Sequence, residues 1–129
     1  MPMKKLLVLL FSILISLNSY GEWIKVTENL SGDAFYYVDT QTINEGGRYL
    51  YWWDLGDSEK LVAGTLSAKF YQEGDCQVNR YRTLSYVFYK QRMGGGKGVT
   101  DNPQNPEWTY PTPGSVEKKI LDFVCDYVN

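Results

Sequence analysis

The stretch GDCQVNRYRTLSYVFYK, residues 74–90, decides how this chain folds. Its alternation, with many aromatic residues, is that of a half-buried strand. Parity puts Cys76, Val78, Leu84, Tyr86 and Phe88 on one face if no bulge intervenes. Arg80 and Arg82 share that parity. The strand opens on a thiol, and the chain has one other cysteine, Cys125. A thiol in that place can be a nucleophile, a metal ligand or half of a disulfide.

The start of the chain bears on the choice. Lys4 and Lys5 precede an apolar run from Leu6 to Leu17, which is short for a membrane span. Ser19 and Gly21 then place small residues three and one positions before a cut. Residues 1–21 are therefore expected to be a signal peptide, and residues 22–129 the mature domain. An exported chain leaves the reducing cytosol, where two cysteines normally pair. The sequence also contains no histidine, which removes the commonest base for a thiol and the commonest metal ligand. Cys76 and Cys125 are thus expected to form a disulfide, with no metal and no cofactor.

The mature segment suits one small domain with one core. The leader holds two of the 13 basic residues and none of the 15 acids, so the domain is mildly acidic. Bulk charge gives no reason to expect nucleic acid as a partner, and no membrane span is expected once the leader is cleaved.

Strand signals dominate the rest. EWIKVT, DAFYYVDT and the segment from Arg48 to Leu55 read as three strands, with a Gly46-Gly47 turn before the third. GDSEK reads as a polar turn, and LVAGTLSAKFYQE as a fourth strand, kinked or bulged at Gly64. The fifth runs from Cys76 to about Arg92. GGGKG, residues 94–98, reads as a hairpin tip, and Val99-Thr100 as a short sixth strand. Near the C-terminus, Val116, Ile120, Phe123, Val124 and Tyr127 fall on one helical face, with Cys125 and Leu121 at its edge. Ser115, or Thr112 followed by Pro113, is a candidate N-cap. The expected fold is α+β, a single antiparallel sheet of five to six strands with a C-terminal helix on one face, held there by the disulfide. That bond would close a loop of about fifty residues, worth ~4 kcal/mol in the chain-entropy model.

Several segments in order resemble the bacterial surface-adhesin protein E family: WIKV from Trp23, YYVDTQTI from Tyr36, RYLYWWDL from Arg48, SAKFYQEGDC from Ser67 and PGSVEKKILDFVC from Pro113. The resemblance spans Trp23 to Cys125. It implies a small antiparallel sheet with the closing helix tied on by the two cysteines. It also implies an exported protein, and in the namesake a dimeric, lipid-anchored adhesin for host matrix and plasma proteins. This sequence departs in having no lipid-acceptor cysteine after its leader. The expected location is therefore periplasmic or secreted, not lipid-anchored, and a homodimer is an expectation by resemblance alone.

No catalytic set emerges. GGGKG lacks the Ser/Thr and the helix that a phosphate loop needs. The acids of DLGDSE lack the spacing of a calcium loop, and the serines have no histidine partner. Arg80, Arg82, Lys90, Arg92 and Lys97 fall in one stretch with no intervening acid. They read either as a solvated face or as a basic patch for an anionic partner. Trp52 and Trp53 must point to opposite faces, so one is core and the other lies on the second face. The function expected is that of an exported, non-enzymatic, adhesin-like protein that contacts a protein or glycan through its sheet surface or basic hairpin. The alternative is a periplasmic accessory protein with an envelope partner.

Overall fold

The computed structural model describes residues 23–129. The expected leader lies outside the described residues. The chain forms β1 (Trp23–Glu28), β2 (Ala34–Asp39), β3 (Asn44–Gly46), β4 (Tyr49–Val62), β5 (Thr65–Asp75), β6 (Arg80–Tyr89), β7 (Val99–Asp101) and α1 (Val116–Tyr127). All the strands belong to one antiparallel sheet, in the order β1-β2-β4-β5-β6-β7. β3 pairs with β4 on the edge that β2 also uses.

The sheet thus has seven strands rather than five to six. The added strand is β3, three residues leading into the Gly47 turn, too short to carry a periodicity. GDSEK is not a turn. Its residues continue β4, because Asp57 and Ser58 pair with β5 and β2. The reversal comes at Ala63 and Gly64, both with positive φ (50° and 78°). That is the geometry of a two-residue hairpin loop, and Gly64 marks this turn, not a bulge.

The segment 74–90 is also redistributed. β5 runs on through Gly74 and Asp75, Cys76 to Asn79 form a turn, and β6 begins at Arg80. Cys76 therefore heads a turn, and Val78 is 45% exposed. A bulge at Leu84 shifts the register, since Ser85 pairs with Tyr71 and Thr83 with Gln72. The parity inverts there. Arg80 and Arg82 lie on the face opposite Tyr86 and Phe88.

Helix α1 covers one end of one face. Ser115 caps it, its Oγ accepting from the Lys118 amide at 3.1 Å. Ile120, Leu121 and Val124 are buried against Val38, Leu50 and Trp52. Leu121 is central to this contact, whereas Tyr127 is 56% exposed. The Cys76–Cys125 disulfide, with Cα atoms 5.9 Å apart, pins the helix to the turn after β5.

The three residues Gly74, Asp75 and Cys76 now have separate explanations. A Cβ on Gly74 would lie 2.6 Å from the Trp52 ring and 3.1 Å from Leu121. Asp75 accepts the Gln77 amide at 3.2 Å and shapes the turn. Cys76 forms the bond.

Two outcomes are expected. Gly74→Ala costs about 1–3 kcal/mol in urea unfolding, because Trp52 must shift. Cys76→Ser and Cys125→Ser each cost roughly 2–5 kcal/mol, and the double variant little more than either. Additive losses would show that the sulfurs stabilise separate places.

Candidate functional site

Cross-strand partners share a face, so the register sorts every strand residue to one side. Val38, Leu50, Trp52, Asp54, Phe70, Gln72, Tyr81 and Tyr86 face the helix side. Tyr51, Trp53, Lys69, Tyr71, Glu73 and Arg82 face the other side. Among the described residues no α-helix packs on that second side. Residues 92–94 fold over one end of it, above Asp57 and Ser67, and the middle stretch is open, its aromatic rings half-buried.

The open face carries a row of rings. Tyr51 and Tyr71 have centroids 6.2 Å apart, and Trp53 and Tyr71 are 5.1 Å apart. Lys69 Nζ lies over both Trp23 (5.7 Å) and Tyr89 (5.3 Å). A depression of about 270 Å³ lies between Trp23, Trp53, Lys69, Val87 and Tyr89, with Asp39 in its lining. Trp53 is thus the tryptophan of this face, and Trp52, 1% exposed, is the one in the core.

At one end of this face Trp108 folds over from the segment after β7. Its ring lies tilted against Tyr49, with centroids 5.4 Å apart, and the guanidinium groups of Arg80 and Arg82 lie 4.1 and 4.4 Å from its ring centre. A two-way backbone pairing of Tyr81 with Thr109 holds it there. Both arginines also bind buried carboxylates. Arg82 Nε donates to Glu73 at 2.5 Å, and Arg80 Nε to Asp75 at 3.1 Å. Arg48 Nη2 reaches the same Asp75 oxygen at 2.6 Å. Burial alone would raise the Asp75 carboxyl, but these arginines and the Gln77 amide hold it below its ordinary value. Tyr51 donates to Glu73, and that bond, together with burial, pushes the phenol up to about 12.

The five basic residues picked from sequence are therefore divided. Arg80 and Arg82 stand at the Trp108 end. Arg92 lies at the far end of β6, roughly 30 Å along the strand direction. There its Nε and Nη2 donate to buried Asp57 at 2.9 and 2.6 Å. The Met93 amide donates to the same carboxylate, and the Gly94 amide to Ser67. The expected hairpin tip is thus folded back onto the sheet through residues 92–94. Lys90 and Lys97 are exposed and flank a second depression floored by Phe88 and Val99. No salt bridge joins either of them to a described residue.

Sequence reasoning missed Trp108 and Asp54. Trp108 sits in a proline-rich segment with no period, although its isolation there was a signal. Asp54 is on the helix side, 3% exposed, and accepts Trp52 Nε1 at 3.0 Å. Burial pushes it up to about 7, against the opposing bonds from Trp52 and Gln72. Among the described residues no group of three His, Cys, Asp or Glu side chains is arranged to hold a metal ion. No helix among them is long and apolar enough to cross a membrane.

A family model described as Surface-adhesin protein E matches residues 23–126. Among curated proteins none matches this chain. Crystal form II of Haemophilus influenzae protein E superposes with a TM-score of 0.67 at 16% identity, covering 83% of this chain and 90% of that one. Protein E from non-typeable Haemophilus influenzae gives 0.62 at 16% identity, covering 81% and 75%. At such identity the likeness shows a shared fold.

Asp54 yields a pH test. Its folded value, about 7, lies above the ordinary aspartate value of 3.8. The stability linked to it is present below the unfolded value and is lost as pH rises through the folded one. Asp54→Asn should therefore gain stability relative to the unchanged protein between about pH 5 and about pH 8, by ~1 kcal/mol or more. Urea unfolding at the two pH values checks this. A difference that does not change with pH would show that Asp54 is ionised throughout.

Proposed function

Because the chain belongs to the surface-adhesin protein E family, we propose that it is an exported, non-enzymatic, adhesin-like protein that contacts a macromolecule, a host matrix protein or a glycan, through the open face of its sheet. The observation that carries this reading is the row of half-buried rings, Trp53, Tyr71 and Tyr51, with no α-helix over them among the described residues. Rigid aromatic side chains on a sheet lose little freedom on binding and offer large contact area. The Arg80–Trp108–Arg82 clasp extends that surface with two guanidinium groups already fixed in place.

Charge has a narrower role. Arg80, Arg82 and Arg92 each have a buried carboxylate partner, so their charge is largely met within the fold. Lys90 and Lys97 remain to steer an anionic partner. This differs from a single basic hairpin acting as one patch. Reversing Arg92 would strip Asp57 of its partner and cost stability, about 3–5 kcal/mol for a broken buried pair.

Host matrix and cell-envelope extracts passed over the immobilised protein would supply the partner. Trp53→Ala with Tyr71→Ala should weaken its binding by about 2 kcal/mol or more. Lys90→Glu with Lys97→Glu should slow association chiefly at low salt. A partner recovered from matrix favours adhesion, and one from envelope alone favours the accessory role. Binding indifferent to the aromatic changes would sink the open-face reading.

A further inference from the structure

The helix side of the sheet holds a feature that the open-face reading does not use. Beyond the N-terminal end of α1 the sheet is left uncovered, and a cavity of about 190 Å³ lies there. Its walls are the rings of Tyr36, Phe70, Tyr81 and Tyr86. Asp54, Gln72 and Thr83 supply polar groups from the sheet, and Glu117 supplies one from the helix.

Asp54 differs from three other buried carboxylates of the sheet. Asp57 is held by Arg92, Glu73 by Arg82, and Asp75 by Arg48 and Arg80. Asp54 has no cation within ion-pair distance among the described residues. It is held by neutral donors, the Trp52 indole and the Gln72 side chain. Thr83 Oγ1 donates to Gln72 Oε1 at 2.6 Å and so turns the Gln72 amide nitrogen towards Asp54. The carboxylate is fixed in orientation and lacks an opposite charge. A buried carboxylate without one is costly when ionised.

We propose that this cavity binds the head of a short primary ammonium ion, with Asp54 as its counter-charge and the aromatic rings as its walls. An ammonium group offers three donors, and carboxylate oxygens can accept more than one bond each. Ring faces attract a cation most strongly where water is excluded. Glu117 stands in the first turn of α1, where its charge offsets the positive helix end that would otherwise repel the ligand. The cavity is smaller than the 300–1,000 Å³ usual for drug-sized ligands, so the ligand is a chain of a few carbons. A free alkylamine and a lysine side chain share that chemistry.

The charge state of Asp54 makes the proposal specific. The groups facing it are Trp52 on its own strand, Gln72 on β5, Tyr36 on β2, Tyr81 and Tyr86 on β6, and Glu117 on α1. Burial, with the charges of Glu117 and Asp54, pushes the Tyr81 phenol up to about 12, and Tyr36 is likewise raised by burial. Both phenols are thus neutral near pH 7. Asp54, at about 7, changes charge in the range where a ligand would be tested. A bound ammonium favours the ionised carboxylate, so affinity must rise with pH through that range.

The Trp52 indole N–H donates to Asp54 and reports on it directly. Nitrogen–proton spectra of the purified protein would be followed while n-butylammonium, or N-acetyl-lysine amide, is added at constant ionic strength. The expected result is a saturable shift of the Trp52 indole signal, with the other three tryptophan signals steady. Butylammonium alone producing it assigns the site to free amines, and both producing it admits a lysine side chain. Affinity should fall about thirtyfold between about pH 8 and about pH 5.5, and by about tenfold or more in Asp54→Asn. Glu117→Gln, at an exposed position, should weaken it about threefold and keeps the test sound if Asp54→Asn fails to fold. No saturable shift in the unchanged protein, or an equal shift with n-butanol, would overturn the proposal. The site lies on the face opposite Trp53 and Tyr71, so its failure leaves the open-face reading standing.

Discussion

Helix α1 has one apolar stripe, and the sheet has one apolar patch that can receive it. The contact of Leu121, Val124 and Ile120 with Trp52, Leu50 and Val38 is the burial on which the domain depends. In so small a domain a single cluster of this size leaves little surplus stability. The Cys76–Cys125 bond lies beside the cluster and limits the freedom the helix would gain on undocking. Gly74 follows from the same contact, since its missing side chain is where Trp52 sits.

With the helix on one side, the other side of the sheet takes a different composition. Its rings pack against one another instead of under a second layer, and its charges are arranged in pairs. Three carboxylates there, Asp57, Glu73 and Asp75, are almost fully buried, and each holds at least one arginine. Such pairs add little net stability over an apolar replacement, but they fix geometry. Asp75 ties the turn before β4, through Arg48, and β6, through Arg80, to the turn that carries Cys76. Asp57 folds the segment after β6 back onto the sheet. Glu73 holds Arg82 beneath Trp108. The run Ser67, Lys69, Tyr71, Glu73, Asp75 is one face of β5, and each member has a partner on that face.

The two faces therefore differ in what they leave unmet. On the open face the arginines are matched, and the unmet group is aromatic surface. On the helix side the unmet groups are Lys90 and Lys97 beside Phe88, far from the helix, and the charge of Asp54 close to it. The first suits the proposed broad contact and the last the proposed small ligand.

The sequence alone determined the disulfide, the α+β class and the closing helix, and it narrowed the cap to Ser115 or Thr112, between which the structure chose Ser115. Each follows from short-range chemistry: two thiols without histidine, a 3.6-residue period, an oxygen-bearing side chain before it. It also placed most strands and required Trp52 and Trp53 to diverge. Tertiary structure decided which tryptophan is core, because that depends on the side the helix chooses. It decided that GDSEK is strand, since polar residues such as Asp57 can sit in a buried strand once Arg92, thirty-five positions away, supplies their partner. It separated Arg80 and Arg82 from Tyr86 and Phe88 through a one-residue bulge at Leu84, which no alternation pattern shows. It brought Trp108 onto the two arginines and placed Asp54 beneath α1, because both positions depend on contacts between segments far apart in the chain.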